Sequence, residues 1–172
     1  MNDAKLPFTD RHHTYSSPMH APGPYVHRAC LRVATGADVR FATQIVPHAA
    51  DAVSLALQLA RVPGASPQVV TEAFQVAADA EHLRATTADW LRTHGFGSVA
   101  DYHSPLGLRS GDPATVQRSA LVSLSAHHVQ AAALAAVEAR DGTDELLLTL
   151  ARDLLSSGVA EAGRLRALAK EI

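Results

Sequence analysis

Three polar side chains interrupt otherwise apolar helical stripes in this 172-residue chain: His48, His127 and Glu161. His128 follows His127 and lies about 100° further around a helix. Helical bundles build metal sites from inward-facing imidazole and carboxylate groups on facing helices. That donor mix suits zinc, iron, manganese or copper. The spacing therefore points to a cluster of His48, His127 and Glu161, with His128 as a further ligand or as support for one. The competing reading is a set of buried polar groups that satisfy each other, because burial demands partners with or without a metal. The paired Glu-x-x-His signature of di-iron bundles is missing. Asp79 to His82 reads D-A-E-H, a D-x-x-H spacing, but its offset from the apolar stripe assigns it to a solvated face.

A second group of donors lies near the N-terminus: His12, His13, Met19, His20, His27 and Cys30. Thioether, thiol and imidazole together favour copper. The alternative is a flexible segment whose histidines happen to cluster. Cys30 is the only cysteine, so an internal disulfide and a zinc site of several cysteines are both excluded. No nucleophile arrangement stands out, and the glycines punctuate turns rather than a phosphate-binding loop. The chain reads as a non-enzymatic protein, with a metal-dependent redox enzyme as the weaker alternative because too few carboxylates face inward.

The elements that must hold these residues are helices. Ala and Leu dominate, aromatics are only 5%, and no strand-like runs appear. Pro7, Pro18, Pro22, Pro24 and Gly23 break up residues 1–34, an irregular N-terminal arm with a short helix near Val26 to Val33. A first helix starts near Asp38, where Thr35 and Asp38 form a capping-box pattern. Its stripe is Phe41, Ile45, His48, Ala52, Leu55, Ala56 and Leu59, with Pro47 inside it as a kink; Val62-Pro63-Gly64 ends it. Ser66-Pro67 opens the second helix, whose stripe is Val69, Ala73, Val76, Ala80, Leu83, Thr87 and Trp90 or Leu91. Residues 95–111 read as a linker. Asp112-Pro113 repeats the cap-then-proline signal for a third helix carrying Ala120, Leu124, His127, Ala131, Leu134 and Ala135. After the Asp141-Gly142-Thr143 turn, a fourth helix carries Leu147, Leu150, Ala151, Leu154, Gly158, Glu161, Leu165 and Leu168.

The halves 35–94 and 112–171 match. A shift of 79 residues lays Phe41, Ile45, His48, Ala52, Leu55 and Ala56 on Ala120, Leu124, His127, Ala131, Leu134 and Ala135. A shift of 78 does the same for Val69, Ala73, Val76 and Ala80 on Leu147, Ala151, Leu154 and Gly158. A lone hairpin cannot bury its stripe, so the two should pack as one up-down four-helix bundle over 35–172.

The segment from Asp38 to Ala56, D-V-R-F-A-T-Q-I-V-P-H-A-A-D-A-V-S-L-A, resembles the domain of unknown function 305 family, whose pattern is roughly D-x-x-F-x-x-x-M-I-P-H-H-x-x-A-I-x-M-A. Val69, Ala73, Val76, Trp90 and Leu91 look like remains of a second family stretch. In the second half His127-His128 falls on the double-histidine position, and Leu147, Leu150, Ala151, Leu154 and Glu161 fall on the later stretch. The resemblance covers roughly residues 36–170 and implies a ferritin-like bundle, copper binding through His and Met, and an extracytoplasmic setting. The departures are specific. Ala49 stands at the second histidine position. Ile45, Leu55, Leu124, Leu134, Thr87 and Leu165 stand at methionine positions, Ala80 and Gly158 at glutamine positions, and Leu83 at the first glutamate position. Apolar replacements leave the fold inference standing. They leave the bundle imidazoles and one carboxylate as metal donors, for copper or another transition metal.

A net charge of −2 offers no general footprint for nucleic acid or a membrane surface. No run reads as a membrane span of about 18 apolar residues. Met1 to Asp10 carry no apolar signal-peptide core, so the chain is cytoplasmic or is written without a leader. The partners expected are a metal ion and a second copy of the chain. The alternative function is a metal-free scaffold bundle that self-associates through apolar surface.

Overall fold

The computed structural model describes residues 34–104, 106–108 and 110–172. Every regular element among them is helical: α1 (Gly36–Leu59), α2 (Pro67–Thr93), α3 (Gly97–Ala100), α4 (Pro113–Asp141) and α5 (Glu145–Glu171). The arm over 1–33 lies outside the described residues, as do the short helix expected near Val26 and the donors His12, His13, Met19, His20, His27 and Cys30.

Local chemistry starts each long helix where the sequence signals it. Thr35 accepts from the Asp38 amide, and the Asp38 carboxylate accepts from the Thr35 amide. This capping box starts α1 at Gly36, slightly earlier than the expected start near Asp38. Ser66 and Asp112 cap α2 and α4, each followed by proline in the first turn. Asp144 caps α5 by accepting from the Leu146 and Leu147 amides. Past the ends of α1 and α2 the chain turns through Gly64 and Gly95 at φ 75° and 86°, a region that costs glycine nothing. α1 continues through Pro47 as one helix.

The linker departs from expectation. It holds the one-turn α3, whose Ala100 is fully buried against the core. Beyond α3 the chain is tied to α1. Ser54 and Gln58 donate to the Leu106 carbonyl at 2.9 and 3.0 Å, and the Leu108 amide donates to Gln58 Oε1 at 2.8 Å.

α1 with α2 and α4 with α5 form two hairpins, and the hairpins meet mainly through α1 and α4. The start of α1 lies against the end of α4, so these two helices run antiparallel. α2 and α5 touch only lightly. The predicted stripes line the interior, joined there by Leu121, which lay outside them; Ile45, Leu59, Leu91, Leu121, Leu124, Leu147 and Leu165 are essentially inaccessible. Each such side chain contributes about 1.5–3 kcal/mol relative to an exposed position. They divide into two apolar clusters, one around Phe41, Ile45, Trp90 and Leu147, the other around Leu55, Leu59, Val69, Leu121 and Leu165.

One helix bears on the expected absence of a membrane span without overturning it. Among the described residues α4 is long and apolar enough to cross a membrane, with a mean hydropathy of 1.4 over its most apolar window. Alanine, leucine and valine supply this, and between Arg118 and Arg140 the only acidic or basic groups besides histidine belong to Glu138. Only 33% of that window is buried inside the protein.

Asp38 joins the hairpins. Its carboxylate is fully buried and accepts from the Thr143 amide at 2.9 Å, the Thr143 hydroxyl at 3.1 Å and the Asp144 amide at 3.0 Å. Thr35 adds its hydroxyl at 2.7 Å. Replacing Asp38 by Ala removes the α1 cap and leaves the α4–α5 turn with unfilled donors. Urea denaturation should show a loss of about 2–4 kcal/mol for Asp38→Ala, several times the cost of removing an exposed cap.

Candidate functional site

Because α2 and α5 barely meet, the bundle is open along one side. The opening is a cleft of about 240 Å³. α1 and α4 supply its floor, with His48, Ala52, His127, His128 and Ala131. α2 supplies one wall through Val76, Asp79, Ala80, His82 and Leu83, and α5 the other through Leu150, Asp153, Leu154, Ser157 and Glu161. Arg164 on α5 and Glu72 on α2 form an ion pair at 3.4 Å between the two walls.

All four bundle residues singled out in the sequence reach this cleft. His48 and His127 pack with ring centroids 4.5 Å apart and planes tilted by 42°. His48 Nε2 lies 2.9 Å from the His127 carbonyl oxygen and 3.4 Å from His127 Nδ1. A carbonyl only accepts, so Nε2 carries the proton of His48 in this arrangement. His128 Nδ1 lies 3.0 Å from Glu161 Oε2, with both side chains mostly buried. Nδ1–H donates to the carboxylate, which leaves Nε2 as the ring's free lone pair.

Gly158 explains how Glu161 reaches His128. A Cβ built at Gly158 would stand 3.3 Å from the His128 carbonyl oxygen and 3.6 Å from Ala132 Cβ. The missing side chain lets α5 close on α4 one turn from Glu161, on the same face. Ser125 Oγ fastens the same pair of helices by donating to the Ala162 carbonyl at 2.9 Å.

Two of the imidazoles, His127 and His128, are held neutral. Burial pushes His127 below the ordinary histidine value, the adjacent His48 pushes it further, and Asp51 opposes both. Burial also lowers His128, against the opposing pull of Glu161. Neutral imidazole is the form that binds metal. Among the described residues, no three His, Cys, Asp or Glu side chains are already grouped as an ion would need. What is assembled is one pair of imidazoles and one histidine–carboxylate pair, beside open space.

The D-A-E-H segment lies on the solvated face expected of it and also reaches the cleft, through the solvent-exposed Asp79 and His82. Sequence reasoning missed Asp153 and Asp51. Asp153, Ser157 and Glu161 recur every four residues, and Asp51 stands three residues after His48, so helical spacing carried both signals. No family model, curated protein or solved structure matches the chain.

The lowered histidines give a direct test. The unfolded chain takes up protons near 6.5, before the folded chain does, so the contribution of His127 and His128 to stability is intact above that pH. It is lost progressively as pH falls below 6.5 towards the folded-state values. NMR titration of the imidazole resonances should place both midpoints below 6.5. Glu161→Gln should lower the His128 midpoint further and leave that of His127 in place.

Proposed function

We propose that the cleft takes up a single transition-metal ion, with copper and zinc the leading candidates, and that the protein handles this ion without catalysing a reaction. His48 and His127 are the direct ligands. His128, oriented by Glu161, is the adjacent imidazole that completes or hands on the site.

One observation carries the reading. His48 Nε2 and His127 Nδ1 are 3.4 Å apart. Two nitrogens bound to one tetrahedral ion at about 2.0–2.1 Å stand about 3.3–3.4 Å from each other. The ring pair is therefore already at the spacing an ion imposes. To receive it, His48 exchanges its bond to the His127 carbonyl for the ion and moves its proton to Nδ1. A hydrogen bond is worth about 0.5–1.5 kcal/mol net, small beside the roughly 10 kcal/mol of a tight zinc site. The histidine–carboxylate pair is the usual outer support of a metal-bound imidazole.

Two close imidazoles beside an open cleft favour an ion that exchanges, because a structural site is closed by four protein ligands. The resemblance to the domain of unknown function 305 family supports the same reading and, with it, a ferritin-like four-helix arrangement and an extracytoplasmic setting. Loss of the family's methionines shifts the donor set towards imidazole, which suits Cu(II) and Zn(II) better than Cu(I).

A specific feature favours a second reading, a bundle that associates with its own copies. On α4, Val122, Val129 and Val137 are 52%, 44% and 41% exposed. No charged side chain stands on the exposed face of α4 between Arg118 and Arg140.

Titration of the untagged full-length protein with Zn(II), Cu(II) and Cu(I) tests the first reading. His48→Ala and His127→Ala should each lower the affinity of one equivalent by at least roughly tenfold with unchanged helical circular dichroism. Donors in the arm are common to all three proteins and form the background. Equal stoichiometry and affinity in the wild type and both variants would remove the cleft as the site.

A further inference from the structure

Glu138 stands in the last turn of α4 with no accessible surface. Neither of its carboxyl oxygens receives a hydrogen bond from any described N–H or O–H group. Its neighbour across the helix contact is Asp38, also inaccessible, whose own carboxylate is filled by donors from Thr35, Thr143 and Asp144. Two carboxyl groups in contact in a dry site do not both ionise. The one that receives donors keeps the charge, and that is Asp38. The one without donors keeps the proton, and that is Glu138. A protonated Glu138 has a single O–H to give, and Asp38 is the acceptor beside it.

We propose that Glu138 and Asp38 form a proton-held latch, in which the Glu138 O–H ties the end of α4 to the start of α1 and the α4–α5 turn, and which opens when that proton is lost. The groups facing Glu138 make the opening forceful. From α1 it meets the Asp38 anion, and from the start of α5 the Asp144 carboxylate. On its own helix Arg140 pairs with Asp141 on the surface, at 2.8 Å. Arg40 acts on Asp141 as well. An ionised Glu138 thus faces two negative neighbours. It also has little room to turn away, because Gly142 sits directly against its carboxyl group, where any Cβ would collide.

The titration follows this geometry. Burial first, then the bond and charge of Asp38 and the charge of Asp144, push Glu138 up to about 8. Burial acts to raise Asp38 too, but its hydrogen bonds outweigh that and hold it well below the usual carboxylate range. The unfolded chain releases the Glu138 proton near 4.5, and the folded chain holds it to about 8. Between those values the folded state binds more protons, so stability falls as pH rises, and above about 8 the full cost is present. Mildly alkaline solution should therefore loosen this end of the α1–α4 contact while both apolar clusters remain closed.

The experiment is amide hydrogen exchange on the full-length protein from pH 6 to 9.5, corrected for intrinsic exchange, with a carbon-detected titration of the Glu138 carboxyl. Protection at Thr143 and Asp144 should fall at least roughly tenfold, with a midpoint matching that of Glu138 near 8. Glu138→Gln, which can still donate to Asp38 through its amide N–H and cannot ionise, should hold its protection flat across the range. Its melting temperature at pH 9 should exceed that of the wild type by roughly 5–10 °C. Glu138 titrating below pH 6 in the wild type, or the same loss of protection in Glu138→Gln, would overturn the latch. If Glu138→Gln does not fold, the wild-type carboxyl titration and its match to the exchange midpoint decide the matter alone.

Discussion

The Asp38 carboxylate holds three stretches of chain in one place: the first turn of α1, the end of α4 and the start of α5. Apolar burial is what makes the two hairpins associate, but apolar surface is only weakly selective between levels one turn apart. An anion that must be met by particular amides is not. By filling Asp38 from Thr143 and Asp144, the structure sets the level at which α1 lies along α4. That level brings His48 against His127 further along the same contact. In two antiparallel helices, positions related by one constant offset can face each other at a single level only. The two histidines, 79 residues apart, occupy it and become immediate neighbours.

The same contact places a polar band between two apolar clusters. Ala49 belongs to one cluster and Ala52 to the other, with His48 at the boundary. Above the band, α2 and α5 touch only lightly and leave it open to solvent. Small residues keep the floor low: Ala49, Ala52 and Ala131 border the cleft, and Gly158 lets α5 approach the His128 backbone. Burial keeps the His127 and His128 rings neutral, while Asp79, Asp153 and Glu161 place carboxylates along the walls. The combination is uncharged lone pairs below acidic groups. It favours cations over anions, which is consistent with the metal-handling role proposed.

The fold was legible in the sequence to the extent that local signals decide it. Thr35, Ser66, Asp112 and Gly64 mark helix boundaries through hydrogen bonds and dihedral preferences that act within a few residues. The stripes ran from Phe41 to Leu59 and from Leu147 to Leu168 because the 3.6-residue period is itself local. α3 escaped notice because a single turn carries too few residues for a period to appear. The mean hydropathy of α4 comes from apolar residues interspersed with serine, histidine and glutamine, so no unbroken apolar run marks it in the sequence.

The sequence by itself determined the helical class, the hairpin order and the histidines that interrupt the stripes. Each of these follows from residues that are neighbours along the chain or around one helix. Tertiary structure decided which polar groups meet. His48 finds His127, Glu161 pairs with His128 instead of standing alone, and the walls acquire Asp79, His82 and Asp153. It also decided that Glu138, one glutamate among several in the sequence, is buried against Asp38. These outcomes depend on the axial level and rotation of one helix against another. They are set by packing summed over both clusters and by one buried anion, and no window along the chain contains both sides of such a contact.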